Sequence, residues 1–385
     1  MMETQFKKTV DFIRELYNTP EAFIPLHEPR FVGNEKKYLI DAIDSTFVSS
    51  VGEYVNRFEE MMTQITGAKY AVAVVNGTAA LHISLKLAGV QQGDEVLTQA
   101  LSFVATPNAI SYEKAIPHFI DVNEHTLGMG ADALQTRLDQ VAEMRDGVCW
   151  NKETNRKIAA CVPMHTFGFP VEIEKIVAMC DSYNIPVVED AAESLGSYVG
   201  EQHTGTFGLL GTVSLNGNKV VTSGGGGVIL TNDKEIAERA KHLTTTAKVP
   251  HKWDYVHNEL GYNYRMPNLN AALACAQLEQ LDRYIGNKKE TAQRYQAFFE
   301  KISGVDFIQK PAGSTPNYWL HAVQLENRAQ RDKLLEYTNG EGVMTRPVWE
   351  LLNRLPMYID CPSGDLSVSS LLADTLVNIT SSVRN

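Results

Sequence analysis

From Tyr70 to Ala192, short apolar, β-branched runs alternate with longer stretches whose apolar positions recur every three or four residues. The runs "YAVAVV", "DEVLT", "IPHFID", "KIAACVP" and "PVVED" read as strands. The stretches "AALHISLKLAG", "FVATPNAISYEKA", Ala131 to Met144 and "VEIEKIVAMCDSYN" read as the helices between them. Strands separated by helices form βαβ units, and their near-continuous apolarity predicts a mainly parallel sheet buried on both faces. Two further strands, "GTVSL" and "GVILT", precede a helix from Asp233 to about Leu243 and a polar, aromatic-rich loop, "HKWDYVHNELGYNYRMP". Pro267 then opens "NLNAALACAQLEQLDRYIGNKKETAQRYQAFFEKI", read as one long connector helix into a smaller α/β unit that begins near Asp306. The expected division is a large unit over 1–265, with an N-terminal helical segment, and a connector plus small C-terminal α/β unit over 266–385.

Composition narrows the function classes. The 385 residues are 44% hydrophobic and 21% charged, an ordinary globular balance, with a formal charge of -11. Such an acidic chain lacks the clustered basic surface that nucleic-acid phosphates require. No run approaches the length of a membrane span, and the first residues lack the pattern of a signal peptide, so a cytoplasmic protein without a membrane partner is expected. The five cysteines are scattered without a CxxC pair, which predicts neither a disulfide framework nor a metal site.

In a parallel sheet, ligands sit beyond the carboxyl ends of the strands. That rule selects Asn76, Gly77 and Thr78, Ser102 and Phe103, His165 and Thr166, and Asp190 with Glu193. Gly77 and Thr78 begin a helix, either a plain one capped by Thr78 or one whose free amides bind phosphate. Asp190 closes a buried strand and needs a positive partner; a structural ion pair and a protonated ring nitrogen both satisfy that need. Phe103 on its own reads as core, although its face could also stack on a ring. In "SLNGNKVVTSGGGGV", Lys219 precedes four glycines, the reverse of a phosphate-binding P-loop. A lysine amine beside Ser214, backbone-exposing glycines and those strand-end residues suits Schiff-base chemistry with an aldehyde cofactor.

In order and spacing, "NGTAAL", "GDEVLTQALSFVATPNAI", "VVEDAAESLGS", "HTGTFG" and "SLNGNKVVTSGGGGV" resemble the DegT/StrS family of sugar aminotransferases, over nearly the whole chain. The resemblance implies an α/β protein of pyridoxal phosphate (PLP) fold type I, aspartate aminotransferase-like: a large domain with a mainly parallel mixed sheet flanked by helices, and a smaller C-terminal α/β domain. Within the family the chain looks most like enzymes that aminate a UDP-linked 4-keto-6-deoxy sugar on the routes to bacillosamine and legionaminic acid. "MHTFGFP" and "TRPVWELLNRLPMY" support that likeness.

Carried over by position, the resemblance makes Lys219 the covalent anchor of the cofactor and its acid/base, and Asp190 the partner of its ring nitrogen. Phe103 would stack on the ring, and Gly77, Thr78 and Ser214 would hold the phosphate. Glu193 stands where relatives have Gln or His near the ring hydroxyl. Asn263 would reach the phosphate from a neighbouring subunit, implying a homodimer with shared active sites. L-glutamate is the implied donor and a nucleotide-linked keto sugar the acceptor. Arg346, Trp349 and the partner chain's Ser49, Ser50 and Val51 are candidates for binding that sugar nucleotide. His165 either lies beside the cofactor or fixes its loop. The competing readings are amination at C3 or of a dTDP- or GDP-linked sugar, a PLP sugar dehydratase, which replaces the lysine with histidine, and a non-catalytic binding protein.

Overall fold

The structure, a computed structural model, describes residues 2–384; Met1 and Asn385, the outer ends of the two expected units, lie outside the described residues. Seven strands among them build the central sheet: β1 (Tyr70–Val74), β2 (Glu95–Gln99), β3 (Ile116–Ile120), β4 (Arg156–Val162), β5 (Val188–Asp190), β6 (Leu210–Ser214) and β7 (Gly227–Thr231). Across the sheet they run β1-β7-β6-β5-β4-β2-β3, with β4 and β5 joined by the bridges Cys161 to Val187 and Met164 to Asp190. Only β7 among these seven is antiparallel to its neighbours, β1 and β6. The mainly parallel sheet expected from the apolar runs is therefore present, and its strands are buried on both faces.

Helix Gly77–Leu87 shows why this sheet can be central. Ala79, Ala80, Leu81, Ile83 and Leu85 are all buried, so the helix is apolar nearly all round and lies between the sheet and helices Ala105–Tyr112 and Lys234–Thr244. Its cap is Asn76, whose side-chain oxygen accepts from the amide of Ala79 at 2.8 Å. Asn76, and not Thr78, is thus the residue that terminates the helix.

Three expectations change. The helix from Ala131 stops at Val141, and Ala142–Arg145 pairs antiparallel with Val148–Asn151. Asp146 and Gly147, at φ 50° and 78°, supply the two left-handed residues of the tight turn between them. The long connector is two helices, Asn268–Leu278 and Leu281–Phe299. The first is buried on almost every side against helices Glu35–Asp44 and Glu53–Thr66, whereas the second buries one stripe; the break at Glu279 and Gln280 separates those two environments. The N-terminal helix Met2–Leu16 packs on the C-terminal unit, not on the large one. Its Phe6, Val10 and Ile13 share a core with Tyr295, Phe299, Val323 and Leu334.

The C-terminal unit holds an antiparallel sheet in the order Val305–Phe307, His321–Leu325, Leu376–Ile379, Arg346–Pro347. Its first strand begins where the small unit was expected to begin. The segment that enters strand His321–Leu325, Asn317 to Leu320, lies against the carboxyl end of the large sheet through the contacts described next.

Candidate active site

Asp190 ends β5 and is 3% exposed. Its Oδ2 accepts from Thr106 Oγ1 at 2.7 Å and its Oδ1 from the amide of Ala192 at 3.1 Å. Burial raises the carboxyl above its ordinary range, opposed by those two hydrogen bonds and then by the charges of Lys219 and His165. The carboxylate is held in place from two sides, in a setting where a further positive partner would relieve its desolvation.

Lys219 sits on the connection between the antiparallel strands β6 and β7, and its side chain is 12% exposed. Its Nζ lies 3.2 Å from Glu193 Oε1 and 4.0 Å from the centre of the Trp319 ring. The other oxygen of Glu193 accepts from the amide of Phe167 at 2.9 Å. Burial pushes the Glu193 carboxyl up to about 7, with Asp190 acting in the same direction and Lys219 and the Phe167 amide opposing it. A carboxyl tuned to the operating range, paired with an amine, can take and return a proton.

The glycines explain how the backbone closes on this point. A Cβ on Gly77 would stand 2.8 Å from Ser214 Cβ, so the start of the helix and the end of β6 are side by side. A Cβ on Gly227 would stand 2.6 Å from the carbonyl carbon of Asn76. Gly224 takes φ 76° and turns the chain back toward β7. The amides that open helix Gly77–Leu87 thus lie beside Ser214, and such free helix-start amides are the kind of donor a phosphate takes.

Phe103 is not a core residue, being 50% exposed. Its ring centre lies 6.5 Å from Trp349, which lies 5.3 Å from Phe167, which in turn lies 6.4 Å from Trp319. This aromatic row connects Phe103 to Lys219 and brings Trp349 to the same wall. His165 is fully buried: its Nε2 faces Glu189 Oε2 at 3.0 Å, and its Nδ1 accepts from the amide of Val171 at 3.2 Å. Those bonds anchor the loop that carries Phe167. Arg346 is exposed at the start of a short edge strand.

The remaining candidates lie on the surface. Asn263 accepts from Arg265 Nε at 3.2 Å, and the Ser49 carbonyl accepts from the amide of Asn268 at 2.6 Å. Ser50 and Val51 follow Ser49 on that exposed turn. Their contacts run to their own neighbourhood and not to the Lys219 cluster of the same chain. A cleft of about 700 Å³ between Asn123–Thr126 and Asp306–Ala312 includes none of the residues above.

Sequence reasoning missed Thr106, Phe167, Asn317 and Trp319. Asn317 is fully buried, with Nδ2 donating to the carbonyls of Glu193 and Leu195 at 2.9 Å each and Oδ1 accepting from the amide of Trp319 at 2.8 Å. A Cβ on Gly168, at φ 89°, would stand 1.8 Å from Asn317 Oδ1. The glycine of "HTFGF" is the available signal that another chain segment passes there.

Comparisons with known proteins identify the family. The DegT/DnrJ/EryC1/StrS aminotransferase family model matches residues 29–383. EpsN of Bacillus subtilis (strain 168), named for pyridoxal phosphate-dependent aminotransfer, is 36% identical over 335 residues, covering 87% of this chain and 84% of that protein. GDP-perosamine synthase of Escherichia coli O157:H7 is 35% identical over 336 residues, covering 87% of each. Among solved structures, the aminotransferase TlmJ of Streptoalloteichus hindustanus superposes with a TM-score of 0.84 at 25% identity, covering 93% of both chains. The fold and the family match over residues 29–383 make this an aminotransferase of PLP fold type I. The chain belongs to the DegT/DnrJ/EryC1/StrS aminotransferase family, and the cofactor of that family is pyridoxal phosphate.

Proposed function

We propose that this aminotransferase moves the amino group of L-glutamate to C4 of a UDP-linked 4-keto-6-deoxy sugar, in the cytoplasm, as a homodimer. The observation that carries the chemistry is the partly buried Lys219, whose Nζ lies 3.2 Å from the Glu193 carboxyl that burial pushes up to about 7, with the buried Asp190 close enough for the Lys219 charge to act on it.

Pyridoxal phosphate supplies an aldehyde that a lysine amine can capture and a ring that takes up an electron pair when its nitrogen is protonated. Lys219 would hold it covalently, Asp190 would face the ring nitrogen, Phe103 would cover a ring face, and Gly77, Thr78 and Ser214 would hold the phosphate. Glu193 would face the ring hydroxyl. Lys219 Nζ, when free, would hold and move a proton, and Glu193 Oε1 would steady the amine between transfers. Phe103, Trp349 and Phe167 form an apolar wall that excludes water from this exchange.

Sugar-nucleotide binding is assigned to Arg346 and Trp349 of one subunit with Ser49, Ser50 and Val51 of the other; His165, fully buried with both ring nitrogens engaged, fixes the loop instead of meeting the substrate. The homodimer reading is supported by apolar surface: Ile40, Ile43, Phe47 and Val51 are exposed, as are Trp253, Tyr255 and Leu260 on the loop that leads to Asn263. In the dimer, Asn263 reaches the phosphate of the neighbouring site. A GDP-linked sugar is the second reading, favoured by the relative named GDP-perosamine synthase. Incubation with pyridoxal phosphate, glutamate and a panel of UDP-, GDP- and dTDP-linked 3-keto and 4-keto sugars tests both. Amination of a UDP-linked 4-keto sugar supports the first reading, and amination confined to GDP-linked sugars replaces it with the second.

A further inference from the structure

The reading of Lys219 as the reactive amine leaves open what holds that amine when it is not bonded to anything. A lysine has four rotatable bonds, and a charged amine at the mouth of a polar site has no intrinsic reason to remain beside Glu193. The structure supplies a second contact. Lys219 Nζ stands 4.0 Å above the ring centre of Trp319, within the range where the negative face of an indole attracts an ammonium group.

Trp319 is itself held from several directions. It is 4% exposed. Its Nε1 donates to the carbonyl of Asn218 at 2.5 Å, which fixes the residue just before Lys219. Its amide donates to Asn317 Oδ1, and Asn317 in turn binds the carbonyl of Glu193. Its carbonyl accepts from Lys288 Nζ at 3.1 Å. Lys288 is fully buried and also donates to the carbonyl of Ser381. A buried lysine that spends its donors on two backbone carbonyls is costly, and here one of those carbonyls belongs to the ring beneath the reactive amine. The same small-unit segment therefore orders both partners of Lys219: the indole directly, and Glu193 through Asn317.

We propose that Trp319 is a positioning residue for Lys219: its indole face holds the free ammonium on the Glu193 side of the site, and its Nε1 hydrogen bond to Asn218 orients that face. The small C-terminal unit thereby contributes to the chemistry of a lysine borne by the large one.

Two measurements on the cofactor-free protein test this apart from turnover. In protein carrying isotope-labelled lysine side chains, the terminal methylene signal of Lys219, assigned by its loss in Lys219→Arg, lies upfield of the other lysines because of the indole ring current. A Lys219 signal within the envelope of ordinary lysines overturns the proposal, and this experiment needs no variant at Trp319. Second, Lys219 is labelled with a small amine-directed reagent at fixed pH, and the modified peptide is quantified. Trp319→Leu removes the face that stabilises the ammonium and raises the labelling rate by roughly 3- to 30-fold, while Trp319→Phe, which keeps a face, stays nearer the parent. An unchanged rate in folded Trp319→Leu overturns the proposal, and so does equal acceleration in both variants, which would assign the effect to the Asn218 hydrogen bond alone. A shifted Lys219 signal in a protein that aminates no sugar would refute the functional reading and leave Trp319's role in place.

Discussion

Glu193 offers the sharpest physical test of the site, because its environment makes protein stability depend on pH in a defined direction. In the folded chain its carboxyl is pushed from 4.5 to about 7, mainly by burial, with Lys219 only partly offsetting that shift. At about 1.4 kcal/mol per pH unit, the displacement corresponds to roughly 3 kcal/mol. A carboxyl whose folded value is raised binds its proton more tightly when folded. Its contribution is therefore complete below 4.5 and is lost as pH rises through about 7. Glu193→Gln has nearly the same shape and keeps an acceptor for the Phe167 amide, but it does not titrate. The assay is urea unfolding of the cofactor-free protein and the variant, read by circular dichroism between about pH 5 and 8. The stability of the parent relative to the variant should fall by roughly 1 kcal/mol or more per pH unit up to about 7, then flatten. A difference that stays constant, or rises with pH, would refute the reasoning that places this carboxyl in a dry site beside Asp190.

Other outcomes follow from the same geometry. Lys219→Ala should lower aminotransfer by roughly a thousandfold or more and abolish the visible absorbance of covalently bound cofactor, checked by spectroscopy of the loaded protein. Asp190→Asn keeps the shape but not the charge and should slow turnover on the order of 10²- to 10³-fold in a steady-state assay. Gly227→Ala drives a Cβ to 2.6 Å from the Asn76 carbonyl carbon and should cost about 1–3 kcal/mol in urea unfolding while weakening cofactor binding. Lys288, lowered by burial from 10.5 to about 7, should behave oppositely to Glu193. Between those values the unfolded chain holds the proton and the folded chain does not, so the stability of the parent relative to Lys288→Met should rise with pH over that window.

Much of the large unit was legible because buried parallel strands are apolar runs bounded by turns, and the strand-end rule then points at the residues just beyond them. Asp190 and the Gly77 turn were found that way, whereas Lys219 stood out only through its place before the glycines and beside Ser214, and the family resemblance suggested their roles. The partners of those residues were harder to see. Thr106 meets Asp190 across 84 positions, and Trp319 meets Asn218 across 101. Nothing local marks a threonine in a helix or a tryptophan before a strand as part of a site. The N-terminal helix shows the same limit, since its apolar stripe announces a buried face but not the surface that covers it. The hairpin at Ala142–Asn151 was readable: Asp146-Gly147 between two short runs is a turn signal that the helical pattern upstream obscured.

The central claim is transfer of nitrogen from glutamate to a keto carbon of a nucleotide-linked sugar through Lys219. Its most direct test is to incubate the enzyme and pyridoxal phosphate with glutamate carrying isotopically labelled nitrogen and a UDP-linked 4-keto-6-deoxy sugar, then analyse the sugar nucleotide by mass spectrometry. Labelled nitrogen is expected at C4 with the parent protein and none with Lys219→Ala. Label appearing at an equal rate with both proteins, or absent from the sugar nucleotide, would contradict that transfer.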